Sequence, residues 1–177
     1  MMIKSRWAIL FILIPALIMC SRKNENPLTP DQIREAEEAL VHANRALLKK
    51  DKARIIEYID NHNLALKETQ SGLWFEIIRQ GEGPEVKEGM QISIDYQVSL
   101  LDGTICYRSD SLGYKVFRTG QGGVESGIDE GIRMLREGSD AIFILPPHLA
   151  HGLTGDSDCI PPRSVIVYHI KVIKVDP

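Results

Sequence analysis

The residues best able to do chemistry in this chain are few and scattered. His148 and His151 stand three apart, a spacing compatible with a shared metal ion, in the stretch Leu145-Pro146-Pro147-His148-Leu149-Ala150-His151-Gly152. No third ligand stands near them, and a proline-containing extended stretch packs histidines more readily than it presents them, so no metal is expected. The chain has no glycine-rich phosphate loop, no helical pair of zinc-ligand histidines and no nucleophile elbow. Covalent and metal-assisted catalysis therefore have no obvious seat, and no cofactor is expected. What remains is apolar and aromatic. Tyr96 lies on a strand-like run in which Ile92, Ile94, Val98 and Leu100 share its face and Ser93, Asp95, Gln97 and Ser99 take the other.

Composition narrows the class. The chain has 177 residues, of which 44% are hydrophobic, 25% charged and 6% aromatic, a mix that excludes disordered, collagen-like and polytopic membrane proteins. Its formal net charge is −3, without a long basic run, so a nucleic-acid partner is set aside. The N-terminus is a separate signal. Lys4 and Arg6 precede an uninterrupted apolar run from Trp7 to Met19, too short for a bilayer core, which takes about 20 residues, and suited to the core of a secretory signal. The run ends in Leu17-Ile18-Met19-Cys20. This resembles the lipobox of bacterial lipoproteins, with Met19 standing where a small residue is usual. It implies cleavage after residue 19, acylation of Cys20 and a lipid anchor in the bacterial cell envelope. The alternative is an uncleaved N-terminal anchor with Cys20 as a bystander.

The elements that would position any site follow from pattern. Residues 20–28 are short, polar and proline-containing, and read as a tether. The region 29–70 is helical. Thr29-Pro30-Asp31-Gln32 is a capping box with proline at the first helical position, and Ile33, Ala36, Leu40, Ala43 and Leu47 form one stripe to about Lys50. A second helix is predicted from Asp51, carrying Ile55, Ile56 and Ile59, which makes an N-terminal helical hairpin too small to bury a core alone. It must pack on the domain that follows or pair with another copy, a homodimer through N-terminal helices. From residue 71 to 177 strands dominate: 73–79, 91–100, 104–108, 115–119, 140–145 and 165–175, the last apolar on both faces at its centre. Asp102-Gly103 marks a hairpin. One helix interrupts them, with Ser126-Gly127-Ile128-Asp129 as capping box, Ile128, Ile132 and Leu135 as stripe, and Gly138 as stop. The fold class is α+β, an antiparallel sheet wrapped around one helix and preceded by the helical hairpin.

From about Ser71 to Asp176 the chain resembles the FKBP-type peptidyl-prolyl cis-trans isomerases. The residues that carry the resemblance are Gly81-Glu82-Gly83-Pro84, Ile94-Asp95-Tyr96, Asp102-Gly103-Thr104, Gly131-Ile132, the stretch Ile144 to Gly152, and Ile160-Pro161-Pro162. His148 to Asp156 followed by Ile160-Pro161-Pro162-Arg163 is similar to the lipoprotein branch associated with gliding motility. The resemblance implies a half-barrel sheet and a chemistry that needs no acid, base or metal. Rotation about an imide meets a barrier of roughly 18–20 kcal/mol because resonance must be broken. A dry aromatic slot favours the twisted state, which has less charge separation.

Carried over by position, the resemblance implies a slot formed by Tyr96, Phe117, Val124, Ile128, Ile160 and Tyr168. Cys106, Tyr107, Glu125 and His151 form its substrate-binding rim. Several of these depart from the family pattern. Cys106-Tyr107 stands for a phenylalanine and a buried acid, and Ile128 for a tryptophan. Lys115 stands for an aromatic residue, Glu125 for an apolar one and His151 for a tyrosine. Weak activity and poor binding of macrolide inhibitors are implied. Cys106 and Cys159 both border the slot by this resemblance; they are either a disulfide, worth about 4 kcal/mol by chain entropy, or two reduced thiols used as small apolar residues. The implied substrates are proline-containing, unfolded or partly folded exported proteins. The other reading is a non-catalytic chaperone or assembly factor of an envelope complex.

Overall fold

The computed structural model describes residues 29–177. The expected signal peptide, the expected acylation site Cys20 and the expected tether lie outside the described residues. The described chain divides into two units, one through Ala39 and one from Leu40 onward.

The first unit holds the opening turns of α1 (Pro30–His62). Its capping box forms: the Thr29 N–H donates to Gln32 Oε1 at 2.9 Å and the Gln32 N–H to Thr29 Oγ1 at 3.4 Å. The predicted hairpin does not. One continuous helix runs through residues 50–51, because Lys49, Lys50, Asp51, Lys52 and Ala53 include no breaker. Asp51, the expected start of the second helix, lies inside α1, and its buried carboxylate meets the Arg163 guanidinium at 2.6 Å.

The second unit is built on a seven-stranded antiparallel sheet: β1 (Lys67–Glu68), β2 (Trp74–Arg79), β3 (Gln91–Leu100), β4 (Ile105–Arg108), β5 (Lys115–Arg118), β6 (Asp140–Leu145) and β7 (Ile166–Asp176). Its order is β1-β2-β6-β7-β3-β4, with β5 pairing the opposite end of β3 from β4 along the same edge. The six longer strands fall within about a residue or two of their predicted bounds. β1 and the one-turn α2 (Ser109–Leu112) are additions.

The sheet buries both faces. On one, α3 (Ser126–Ile132) packs Ile128 and Ile132 against Ile92, Ile94, Val98, Phe143 and Tyr168. The approach is close enough to require glycine on the helix: a Cβ on Gly131 would sit 2.9 Å from the Phe143 ring, and one on Gly127 2.7 Å from Leu145. On the other face, Ile55 and Ile59 of α1 cover Ile142, Ile144, Val165 and Val167. This explains why β7 is apolar on both sides: Ile166 and Tyr168 face α3, and Val167 faces α1. α3 itself is shorter than predicted. Glu125, not Ser126, is its N-cap residue, and the Ser126 hydroxyl donates to the Leu149 carbonyl instead.

Candidate functional site: an aromatic slot with a buried ion pair

Cross-strand register gathers the predicted residues. Val98 of β3 pairs with Tyr107 of β4 on one side and Tyr168 of β7 on the other, and Tyr168 pairs in turn with Phe143. Ile92 pairs with Phe117, and Ile94 with Lys115, on β5. The alternation that puts Ile94 and Val98 inward carries Tyr96 to the same side, where its ring centroid stands 6.3 Å from that of Tyr168 at a 35° tilt. Phe117, Ile128, Ile160 and Tyr168 are buried in one apolar cluster, with Tyr96, Cys106, Tyr107 and Val124 packed on it partly exposed. All six predicted slot residues therefore belong to one body. Four form its floor and two, Tyr96 and Val124, keep accessible surface.

The predicted rim residues sort differently. Glu125 lies below the rim, with its side chain 8% exposed. One carboxylate oxygen, Oε1, accepts from the Tyr168 hydroxyl at 2.7 Å and from His151 Nε2 at 3.1 Å. The other, Oε2, accepts from Lys115 Nζ at 3.2 Å. That ammonium also donates to the Tyr168 oxygen at 3.4 Å and stands 5.9 Å and 5.8 Å from the ring centres of Tyr96 and Tyr168. Burial opposes ionisation of Glu125, but the Lys115 charge and the hydrogen bonds from Tyr168, its own backbone N–H and Lys115 outweigh it. The carboxyl is held below its ordinary range. Burial first, then the Glu125 charge and hydrogen bond, push the Tyr168 phenol far above the usual value.

Opposite this pair, Cys106 and Cys159 are bonded, with their Cα atoms 5.4 Å apart. Next to Cys106, the Tyr107 hydroxyl donates to Asp156 Oδ2, and that hydrogen bond above all pushes the phenol up to about 12. The other oxygen of Asp156 accepts the backbone N–H groups of Asp158 and Ile160, both at 2.9 Å. The loop that presents Ile160 is thus held to β4 by a covalent and a hydrogen-bonded link. Gly155 turns this loop at φ +71°, where a Cβ would fall 2.2 Å from the Ile160 carbonyl oxygen.

His148 and His151 do not converge. His148 Nε2 meets the Ser71 carbonyl at 2.9 Å while His151 turns to Glu125. A cleft of about 610 Å³ lies elsewhere, on the other side of β3 among Asp95, Gln97, Arg108, His169 and Lys171, and shares only Tyr96 with the slot. Lys115 and Asp156 are the site residues that sequence reasoning left out. The available signal was the concentration of polar residues, Lys115, Glu125 and His151, at positions where the resemblance implies apolar or aromatic ones.

Comparison with known proteins places the chain in a family. The family model described as FKBP-type peptidyl-prolyl cis-trans isomerase matches residues 83–173, more than half of the chain. The chain belongs to this family. Among curated FKBPs, the probable FKBP-type peptidyl-prolyl cis-trans isomerase FkpA of Neisseria meningitidis is 35% identical over 111 residues, 62% of this chain and 40% of that one. FkpA of Buchnera aphidicola is 30% identical over 149 residues, 81% of this chain and 61% of that one. The chain thus spans about 40% to 61% of the length of these relatives. Among solved FKBP structures, FkpA from Escherichia coli shares the fold at a TM-score of 0.61 and 23% identity, covering 86% of this chain and 75% of that one. AtFKBP13 aligns at a TM-score of 0.58 and 31% identity, covering 62% of this chain and 97% of that one.

Proposed function

We propose that the chain is a peptidyl-prolyl cis-trans isomerase of modest activity that acts on exported proteins in the bacterial cell envelope. The observation that carries this reading is the part-exposed Tyr96 and Val124 at the edge of an apolar floor of Phe117, Ile128, Ile160 and Tyr168. A proline ring held there leaves water, and the twisted imide, with less charge separation than the planar one, gains relative to it. Uncatalysed exchange takes tens to hundreds of seconds, so a modest stabilisation of the twisted state has a visible effect. Envelope location and a lipid anchor at Cys20 are supported by the leader. A homodimer through α1 is supported by its exposed stripe of Ile33, Leu40 and Leu47.

The test is a refolding assay with a substrate whose slow phase is limited by proline. The chain from Ser21 onward accelerates that phase, and Tyr96→Ala with Tyr168→Ala removes the acceleration. A second reading, a non-catalytic chaperone or assembly factor, is favoured by the ionic cluster of Lys115 and Glu125 within the slot. Under that reading the folded wild type leaves the slow phase unchanged while suppressing aggregation of the substrate.

A further inference from the structure

We infer that the slot selects its prolyl substrates by charge, favouring an acidic residue beside the proline, and that Lys115 is the residue that does so. This rests on the slot proposed above. The positive and negative members of the buried pair are unequally available. Glu125 is 8% exposed and both of its oxygens are taken, by Tyr168, His151 and Lys115. Lys115 is 28% exposed. An ammonium carries three N–H donors, and two are accounted for, on Glu125 and on the Tyr168 oxygen. Among the described residues no third acceptor faces it, which leaves that donor to a ligand.

Position gives this donor its consequence. Nζ stands 5.9 Å from the ring centre of Tyr96, the tyrosine of the slot that keeps accessible surface, so a residue flanking a proline packed on that ring comes within reach of the charge. A carboxylate there replaces bulk water at the ammonium with a charge-assisted hydrogen bond. The negative charge of Glu125 lies deeper and is already compensated, so it repels the ligand less than Lys115 attracts it. Across the slot, Asp156 is occupied by Tyr107 and by two backbone N–H groups, and Asp158 lies within 3.3 Å of the Tyr107 hydroxyl. Both acids are thus turned toward β4 rather than toward Lys115. His151 gives its Nε2 proton to Glu125 and adds no negative charge.

The experiment uses the full chain, solubilised in detergent, and two peptide sets that differ only in the residue before or after one proline: Glu, Gln or Lys. Both kcat/KM for isomerisation and direct binding are measured. For Glu against its isostere Gln the expected ratio is about fivefold at low salt, the scale of a partly exposed ion pair, shrinking as salt screens it. Lys115→Met brings the ratio to one. Glu125→Gln, which removes the opposing charge and keeps the shape, raises it. A structural role for Lys115 would instead move Glu and Gln peptides together in both variants, and that result overturns the inference, as does equal handling of Glu and Gln peptides by the wild type. Retained preference in binding without any turnover leaves charge selection standing and removes the isomerase reading.

Discussion

Glu125 is a buried carboxylate held by Tyr168, His151 and Lys115, and its ionisation is tied to folding. Its pKa is depressed in the folded state, so its contribution to stability is fully present above the ordinary glutamate value of about 4.5 and is lost as pH falls through the lower folded value. Denaturant midpoints measured between pH 6 and pH 3 are expected to fall more steeply for the wild type than for Glu125→Gln. Tyr107 sets the opposite limit. Its phenol is raised to about 12 from an ordinary 10.0, so the stability it contributes is whole below pH 10 and is lost as pH rises toward 12; Tyr107→Phe flattens that alkaline slope. At this scale the sequence was legible in part. Tyr96 and Tyr168 could be placed by strand alternation and by family resemblance. The contacts of Lys115, Glu125, His151 and Tyr168 could not, since they join residues on separate elements and no spacing rule links those positions.

At the scale of elements, the C-terminal half of α1 is held by one buried pair as well as by Ile55 and Ile59. Asp51 is 4% exposed and pairs with Arg163. Asp51→Ala leaves the guanidinium without its partner and is expected to cost about 3 kcal/mol, read as a shift in the denaturation midpoint. The loop from Gly152 to Arg163 is the second element under restraint. Replacing both Cys106 and Cys159 by serine is expected to lower stability by about 2–5 kcal/mol, and neither thiol reacts in unfolded, unreduced protein. The strands were legible because alternation and turn residues agree over β3, β4, β6 and β7. β1 was not, being two residues long with no period to detect. The two misplaced helix starts share one cause. Asp51 and Ser126 are residue types that cap helices, but the first is committed to Arg163 and the second to the Leu149 carbonyl, and tertiary partners of that kind leave no mark in local sequence.

At the scale of the whole molecule, the exposed stripe Ile33, Leu40 and Leu47 is expected to associate copies of the chain. Sedimentation equilibrium of the chain from Ser21 onward then gives a dimer, and Leu40→Glu with Leu47→Glu gives a monomer without altering the circular dichroism of the sheet. The sheet order carries a different consequence. β7, the latest described strand in the chain, lies between β6 and β3. Until residues 166–176 exist, β3 and β6 have no neighbour in common, and each presents an open row of backbone donors and acceptors. A growing polypeptide can therefore pair β1-β2-β6 and β3-β4-β5 but cannot join the two groups before β7 is made. The sheet closes only when β7 joins β6 to β3. Truncation before residue 166 is expected to leave the facing edges of β3 and β6 unpaired and open to proteases.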